Sequence, residues 1–527
     1  MEQRQIDQLL KRATRALNSG DYPGLQRLSK QILSLDRKQA DAWFFMSLVA
    51  EAGRQPGHAL QFVERALEIT PTHVEYLTQK AKLHSLLNNY SQTKACADRA
   101  TRTGPERALV LDTLGVIYTR LGEFEKACDL LKQAVSREPD NPQFLFNLGS
   151  AEQFLGHEDA ARAAYSAAIA HKPDFSRAHW AWSELEKNQP EPGRLEHLLA
   201  LHERCSGSSD RLYLSHAISR AYEKLGDFDT AFTYLKNAKQ QRRTEIQYSV
   251  ETDLALFKAI RETFAASPPE PAASDVLDGR PLFIIGMPRS GTTLLERIVS
   301  SHSQAVSLGE LQEFPHAVKR VAGTRSPLVL DPETVRAAAD RNMSEIGSHY
   351  ARALADRIPA GQQFIDKLPL NFLCVGFILA ALPRAKIICL RRNALDTCLS
   401  NYRQLFALNF SYYNYHYDLA DTARFYGAFH RLMEFWQALY PERFTQLYYE
   451  ELVTDPEPSI RSTLQFLGLG WEPDCLAFHQ QGGAVATASA PQVRQPLYNS
   501  AIARWKKYEK HLAPAMKVLD AEGIEYR

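Results

Sequence analysis

One segment sets the architecture of the C-terminal half of the chain: Pro281-Leu-Phe-Ile-Ile-Gly286-Met-Pro-Arg289-Ser290-Gly291-Thr292-Thr293-Leu-Leu-Glu-Arg297. An apolar run comes first, a glycine-bounded polar loop follows, and a helical pattern begins after the loop. In this order the backbone N–H groups of the loop and the positive end of the helix converge on one site of phosphate size. The segment therefore predicts an anion-binding loop. The alternative, an ordinary strand–turn–helix with chance glycines, is disfavoured by the polar loop residues that follow the apolar strand.

The spacing from Gly286 to Gly291 matches the nucleotide P-loop, Gly-x-x-x-x-Gly-Lys-Ser/Thr, with one departure. Thr292 stands where an ATP site carries its lysine. Because that lysine reaches the β- and γ-phosphates, its absence argues against a kinase and favours a nucleotide with a shorter 5′ anion chain. Arg289, inside the loop, brings a planar fork of donors instead.

Residues 280–527 alternate apolar strand candidates with helical stretches, which predicts an α/β, P-loop-like domain with a mostly parallel sheet. The strand candidates are Leu282–Ile285, Phe364–Ile365, Lys386–Leu390 and Phe444–Tyr448. Polar residues follow each strand at its carboxyl end, namely Arg289, Asp366-Lys367, Arg391-Arg392 and Tyr449-Glu450. Ligands in such sheets bind beyond the carboxyl ends of the strands, so we expect these side chains to share one cleft.

A repeat occupies the N-terminal half. Prolines fall at positions 71, 105, 139 and 173, each 34 residues after the one before. This period resembles that of the tetratricopeptide repeat, and the small residues at Gly115/Gly149 and Ala127/Ala161 allow paired helices to approach closely. We expect an α solenoid over residues 1–245, degenerate at 174–210, with a displaced unit marked by Tyr222, Gly226, Ala231, Leu235 and Ala238.

Residues 246–279 are interpreted as a linker, because the segment from Ser267 to Asp275 is rich in proline and small residues. The domain that binds the anion then spans 280–527. Repeat arrays usually present a concave face to a peptide or protein, so we expect such a partner. The alternative is that the array only scaffolds or dimerises the second domain, giving a homo-oligomer.

Composition limits the function classes. With 62 Lys and Arg against 61 Asp and Glu, no global basic field draws nucleic acid or membrane. Seven scattered cysteines signal neither a disulfide framework nor a metal site. The N-terminus lacks the apolar core of a secretory signal, and no run approaches the ~18 apolar residues of a spanning helix. We expect a cytoplasmic enzyme without a metal.

The string Pro288-Arg-Ser-Gly-Thr-Thr293 resembles the 5′-phosphosulfate loop of sulfotransferases, which use 3′-phosphoadenosine 5′-phosphosulfate (PAPS). Arg392 and Ser400, eight residues apart, resemble the 3′-phosphate segment of that family, and Tyr449 matches the tyrosine beside the adenine in tyrosylprotein sulfotransferases. A fourth segment, Ser489-Ala-Pro-Gln-Val-Arg494-Gln-Pro496, is similar to the family pattern Ser-x-x-Gln-Val-x-Lys-Pro. Gln495 stands at the lysine position, and Arg494 is the substitute that we expect to bind phosphate.

The resemblance implies a role for each matched residue. PAPS would be bound by Arg289, Ser290, Gly291, Thr292, Thr293, Arg392, Ser400, Tyr449 and Arg494. Catalysis would rest on Glu310 as the base, on Arg289 and Lys367 as charge-stabilising groups, and on Ser489 as a donor to the sulfuryl or phosphate oxygens. Glu313 is the reserve base. The competing interpretations are a surface carboxylate for Glu310, an ion pair with Asp366 for Lys367, and a surface ion pair for Arg391 or Arg392.

The whole chain resembles bacterial tetratricopeptide-repeat sulfotransferases, and its C-terminal half resembles tyrosylprotein sulfotransferases. The resemblance implies transfer of a sulfuryl group from PAPS to a tyrosine of a peptide or protein, with adenosine 3′,5′-bisphosphate as product. Two alternatives stay open: sulfation of a small-molecule, lipid or glycan hydroxyl, and a non-catalytic repeat scaffold. The aromatic stretch Phe406–Tyr417 is either a lid or a wall of the acceptor site, or it is ordinary aromatic packing.

Overall fold

The computed structural model of the protein describes residues 2–266, 269–272, 277, 279–355, 357–358, 362–408, 410–481, 493–497, 499 and 501–526. The chain divides into two compact units, Met1–Pro173 and Asp174–Arg527. Within the described part, none of the helices combines the length and the apolar character that crossing a bilayer requires.

The first unit is helical. Its helices are Glu2–Asn18 (α1), Tyr22–Leu35 (α2), Ala40–Ala52 (α3), Pro56–Ile69 (α4), Val74–Leu86 (α5), Tyr90–Arg102 (α6), Ala108–Leu121 (α7), Phe124–Arg137 (α8), Pro142–Leu155 (α9) and Glu158–His171 (α10). Each odd-numbered helix packs against the next helix, as repeat hairpins require. A Cβ on Gly115 would lie 2.5 Å from Leu131 Cγ, and one on Gly149 would lie 2.6 Å from Tyr165 Cε1. The small residues therefore allow the close helix contact that the repeat predicts, and the predicted solenoid is confirmed.

The second unit begins with helices Ser176–Leu185 (α11), Arg194–Arg204 (α12), Ser208–Leu225 (α13), Phe228–Ile246 (α14) and Val250–Ala266 (α15). Helix α15 falls inside the segment that the sequence analysis interprets as a linker. Its Phe257, Ile260 and Phe264 are buried in the core of this unit. The Phe264 ring lies 5.0 Å from that of Phe377 and 5.2 Å from that of Trp436. The segment before the sheet therefore contains a core helix. Its apolar face packs against the hydrophobic residues of the sheet-containing unit.

A five-stranded sheet follows, with strands Pro281–Gly286 (β1), Ala305–Ser307 (β2), Gln363–Asp366 (β3), Lys386–Arg391 (β4) and Phe444–Tyr448 (β5). The strand order is β2-β3-β1-β4-β5, and every pairing is parallel. The predicted parallel sheet is confirmed. Alternate residues of β1 enter opposite cores: Phe283 and Ile285 on one face, Leu282 and Ile284 on the other.

Helices cover both faces of the sheet and complete the unit. They are Thr292–Ser300 (α16), Glu313–Ala322 (α17), Pro332–Ala339 (α18), Met343–Leu354 (α19), Val375–Ala381 (α20), Ala394–Arg403 (α21), Leu419–Leu439 (α22), Tyr449–Thr454 (α23), Pro456–Leu467 (α24) and Ala513–Ala521 (α25). Helices α16, α21 and α23 each begin just beyond the carboxyl end of a strand, so their N-termini share one edge of the sheet.

Candidate active site

The loop between β1 and α16 is held by the side chains of α21 and of the residue that follows β4. Asn401 Nδ2 donates to the carbonyl oxygen of Pro288 at 2.7 Å, and Arg392 Nη1 donates to that of Arg289 at 3.1 Å. Tyr415 Oη fixes Asn401 by donating to its Oδ1 at 2.9 Å. Arg289 itself adopts a φ of +67°, a conformation that non-glycine residues rarely take. Asn401 and Arg392 thus hold the loop in this strained conformation, and backbone strain of this kind is common at ligand-binding sites.

The loop and the start of α16 bury polar groups. Ser290 is 1% exposed, and its Oγ has no hydrogen-bond partner among the described residues. Thr292 and Thr293 are buried at the N-terminus of α16. Because an unpaired buried hydroxyl is costly, Ser290 Oγ indicates that a ligand oxygen completes this site. The N-terminus of α16 favours an anion at the same place.

The two arginines that follow one another at the end of β4 have different surroundings. Arg392 Nη1 lies 3.4 Å from Ser400 Oγ, Nη2 donates to the carbonyl oxygen of Ala501 at 2.6 Å, and Nε is buried without a partner among the described residues. Arg391 instead donates to Gln446 Oε1 at 2.5 Å and lies 3.3 Å from Glu434 Oε1. The predicted pairing of Arg392 with Ser400 is thus observed as a contact, while Arg391 takes the ion-pair role.

Tyr449 is the first residue of α23 and is 7% exposed. Arg392 Cζ lies 5.0 Å from the centroid of its ring. A Cβ on Gly291 would lie 2.7 Å from Tyr449 Cδ2, and Gly291 has a φ of +105°. Only glycine therefore allows the tyrosine ring to lie against the anion-binding loop.

Lys367 follows β3 and is 1% exposed. Its Nζ donates to Glu310 Oε1 at 2.5 Å and lies 3.5 Å from Glu296 Oε2. Burial alone would lower the pKa of Lys367, but the two carboxylates outweigh burial and raise it. Lys367 is therefore a charged group held between two acids, while Glu310 keeps 39% of its side chain exposed.

The neighbouring acids are engaged elsewhere. Asp366, whose pKa is raised well above its usual range by burial, accepts from Tyr350 Oη at 2.8 Å, so the alternative pairing with Lys367 is not observed. Glu313, the reserve base, forms an ion pair with Arg357 at 3.0 Å. The geometry therefore favours Glu310 over Glu313 as the accessible carboxylate.

A cavity beside the loop encloses about 1130 Å³ of empty space, part of it open to solvent. Predicted residues that line it are Arg289, Gly291, Arg392, Ser400 and Tyr449. Glu310 and Lys367 are not among its lining residues, although they connect to the loop through Glu296 on α16. Gln495 lines the cavity and Arg494 does not, within the described part of that segment. Ser290, Thr292 and Thr293 are buried and are not among the lining residues either. Ser489 lies outside the described residues.

Arg494 lies close enough to Arg297 to affect the pKa of Arg297. Burial lowers the pKa of Arg297, and the positive charge of Arg494 acts in the same direction. This contact does not test the role of Arg494 as a phosphate ligand, which stays a prediction.

Several described residues of the aromatic stretch pack inside the unit, while Phe410 is exposed. Tyr413 stacks on Phe406 with ring centroids 4.5 Å apart, and Tyr415 stacks on Phe425 at 3.9 Å. His416 Nδ1 lies 2.6 Å from Lys239 Nζ on α14. These contacts favour ordinary packing over a lid.

Several lining residues carry no sequence motif. They are His216, Ser219, Arg220 and Glu223 on α13, together with Arg403 and Arg504. Arg403 donates to Glu223 Oε1 at 2.6 Å across 180 positions of sequence. No spacing rule connects positions so far apart. The signal that could have drawn attention to Arg403 is its position on α21, three residues beyond Ser400.

The cavity is strongly positive. Among the described residues that line it, five are arginines and Glu223 is the one acid. Burial lowers the pKa of Arg289 to about 10, and the charges of Arg220, Arg392 and Arg403 act in the same direction. A cation that is destabilised in this way is a strong binding partner for an anion.

Comparisons with known proteins show which families the chain resembles. Residues 281–473 match the model of the sulfotransferase family, and residues 118–181 match that of the tetratricopeptide repeat. An uncharacterized protein of Aquifex aeolicus is 30% identical over 410 residues, which is 76% of this chain and 53% of that protein. A protein-tyrosine sulfotransferase of Drosophila melanogaster is 25% identical over 239 residues, 42% of this chain and 46% of that protein. The chain thus spans about half the length of these two relatives.

Among solved structures, a sulfotransferase domain from the curacin biosynthetic pathway is 20% identical, with a TM-score of 0.34. The match covers 48% of this chain and 99% of that domain. The family assignment rests on the model matches: residues 281–473 form a sulfotransferase-family domain, in a chain that also carries tetratricopeptide repeats.

Proposed function

We propose that this protein transfers a sulfuryl group from PAPS to a tyrosine hydroxyl of a peptide or protein. The observation that carries the proposal is the cavity that gathers Arg289, Arg392, Ser400 and Tyr449. Ser290, whose hydroxyl is buried beside them, lacks a partner among the described residues. These groups fit a nucleotide with separate anionic groups, because donors and cations cluster at the ends of two neighbouring strands.

Each side chain has a task in this proposal. Ser290, Thr292 and Thr293 hold the 5′ anionic group at the N-terminus of α16, while Arg392 and Ser400 hold the 3′-phosphate. The Tyr449 ring packs against the adenine. PAPS, when bound, supplies the sulfuryl group and leaves as adenosine 3′,5′-bisphosphate.

The acid–base work falls to the group around Lys367. Glu310 is accessible and accepts the proton of the acceptor hydroxyl, as a general base does. Lys367 and Arg289 neutralise negative charge that grows on the phosphate side during transfer. Ser489 remains part of the proposal as a donor to the same oxygens.

Two observations support a peptide acceptor. The Drosophila relative is a protein-tyrosine sulfotransferase, and repeat arrays commonly bind peptides or proteins. Sulfate found by mass spectrometry on a tyrosine peptide, and not on its phenylalanine analogue, would support this acceptor class. Sulfation of both peptides, or of neither while a small-molecule phenol is sulfated, would contradict it.

Titration calorimetry with adenosine 3′,5′-bisphosphate tests the nucleotide class, with ATP as the competing ligand. We expect the wild type to bind the bisphosphate and to reject ATP. Arg392→Ala should weaken bisphosphate binding by about 10- to 100-fold, because it removes a charged hydrogen-bond donor. Arg391→Ala is the matched control, since Arg391 contacts Gln446 and Glu434 instead. Absence of bisphosphate binding by the folded wild type would overturn the proposal.

A further inference from the structure

Helix α13 forms one wall of the cationic cavity, although the four sequence motifs of the site lie elsewhere. His216, Ser219, Arg220 and Glu223 all line the cavity. They are spaced three, one and three residues apart, so they share one face of the helix. This helix and α14 correspond to the displaced repeat unit of the sequence analysis.

Glu223 fixes this wall in place. Its carboxylate accepts from Arg403 Nε at 2.6 Å, contacts Arg504 at 3.4 Å and accepts from Tyr508 Oη. Burial would raise the pKa of Glu223, but the neighbouring arginines lower it to about 2. The wall is therefore tied to α21 and to the C-terminal segment by a buried, charged carboxylate.

Arg220, unlike Glu223, pairs with a residue of a neighbouring helix that precedes the sheet. Its Nη2 donates to Glu184 Oε2 of α11 at 2.5 Å, and 36% of its side chain is exposed. Both Arg220 and Glu184 lie within electrostatic reach of Arg289, since the first lowers and the second raises the pKa of that loop arginine. Arg220 is thus a cation at the cavity wall, near the anion-binding loop, whose partner is a carboxylate.

The charges around the cavity suit a doubly phosphorylated nucleotide. Five arginines line the cavity, against one lining carboxylate, Glu223, and a second carboxylate, Glu184, that is paired with Arg220. The five positive and two negative charges leave an excess of three positive charges. Two phosphate monoesters carry about −1.5 to −2 each at pH 7. A guanidinium fork donates to a carboxylate and to a phosphate in the same bidentate geometry, so a phosphate can take the place of Glu184.

We infer that Arg220 is a nucleotide-binding residue that exchanges Glu184 for a phosphate group of the nucleotide, so that the α13–α14 hairpin forms part of the nucleotide site. This inference rests on the proposed function, because it takes the ligand to be PAPS or its bisphosphate product. It assigns the displaced repeat unit a role in binding the co-substrate rather than the acceptor.

Calorimetry with adenosine 3′,5′-bisphosphate on the full chain tests the inference through two variants of opposite sign. Arg220→Gln should weaken binding by about 10- to 100-fold, because one charged contact to phosphate is lost. Glu184→Gln should strengthen binding several-fold, because Arg220 is released from its competing carboxylate. Arg220→Lys should bind with intermediate affinity, since it keeps the charge and loses the fork. Lys236→Gln, on the exposed side of α14, removes the same charge from the hairpin and should leave the affinity unchanged.

The pattern of results separates the possibilities. Wild-type affinity in Arg220→Gln, with Arg392→Ala still impaired, would overturn this inference and leave the proposed function standing. Equal weakening in Arg220→Gln and Glu184→Gln would show that the pair only supports the fold, which also overturns the inference. Absence of bisphosphate binding by the wild type would remove the proposed function and this inference together. Thermal unfolding midpoints of the variants establish that each one is folded.

Discussion

Lys367 is nearly inaccessible to solvent and is shared between Glu310 and Glu296. The contact with Lys367 fixes the position of Glu310, the base of the proposed function, and leaves 39% of its side chain exposed. The second acid, Glu296, is buried, and its Oε1 accepts from Ser307 Oγ at 2.5 Å. Of the two carboxylates, Glu310 is therefore the more exposed, at 39% against 10% for Glu296, and it is the one to which the proposed function assigns the base.

Glu310→Gln keeps the size of the side chain and an oxygen for Lys367, but it removes the base. We expect turnover of a tyrosine peptide to fall by about 100- to 10,000-fold, the usual share of general base catalysis. Binding of adenosine 3′,5′-bisphosphate should stay at the wild-type level, as measured by calorimetry. Glu313→Gln is the matched control, because that carboxylate pairs with Arg357. Retained turnover in Glu310→Gln together with lost turnover in Glu313→Gln would assign the base to Glu313.

Single residues also show where sequence reasoning reaches its limit. The eight-residue spacing predicts that Arg392 and Ser400 meet, and their side chains lie 3.4 Å apart. The same spacing selects Arg392 over Arg391, which lies nine residues before Ser400. It does not give the partners of Arg391, because Gln446 and Glu434 come from distant parts of the chain.

Among the elements, α13 is the one whose role the sequence could not predict. Its repeat-like pattern of apolar residues predicts a hairpin with α14, and that hairpin is present. Its contact with the cavity depends on Glu223 meeting Arg403 and Arg504, which come from distant parts of the chain. Hydrophobic periodicity predicts which face of a helix is buried, but it does not predict which other elements pack against the remaining faces.

Glu223→Gln should therefore loosen the second unit in a pH-dependent way. The native pKa of Glu223 is about 2 against an ordinary value of 4.5, so the ionised carboxylate stabilises the fold by roughly 3 kcal/mol at pH 7. This contribution is fully present above pH 4.5 and is lost as the pH falls through 2. Urea unfolding of wild type and variant should give a free-energy difference that shrinks from pH 7 to pH 3.

Glu522→Gln provides the control for that measurement, because Glu522 pairs with Arg431, whose side chain is 44% exposed. A solvent-accessible pair of this kind contributes about 1 kcal/mol or less. A Glu223→Gln variant as stable as Glu522→Gln at pH 7 would show that the buried carboxylate does not hold α13 in place.

At the scale of the whole molecule, sequence composition and compact packing divide the chain at different places. The proline-rich segment from residue 267 suggests a boundary before residue 280, whereas the compact units meet at residues 173 and 174. The difference arises because helices before the proline-rich segment share the core of the sheet: Phe232 of α14 and Phe264 of α15 are buried in one cluster with Phe283 of β1. A Cβ on Gly376 would lie 2.2 Å from Phe264 Cε1, so the Phe264 ring of α15 packs directly on the backbone of α20.

A chain shortened to residues 174–527 should fold cooperatively and bind adenosine 3′,5′-bisphosphate with the affinity of the full chain. A chain shortened to residues 280–527 should not fold, because it uncovers the surface that Phe257, Ile260 and Phe264 bury. Each such side chain contributes about 1.5–3 kcal/mol, and the loss of three approaches the total stability of a typical domain. The truncation to residues 280–527 also removes Glu223 and Arg220 from the cavity wall.

Thermal unfolding followed by near-ultraviolet circular dichroism, with calorimetry on both chains, provides the comparison. A folded 280–527 chain that binds the bisphosphate like the 174–527 chain would show that the sheet domain and its nucleotide site are complete without the preceding helices.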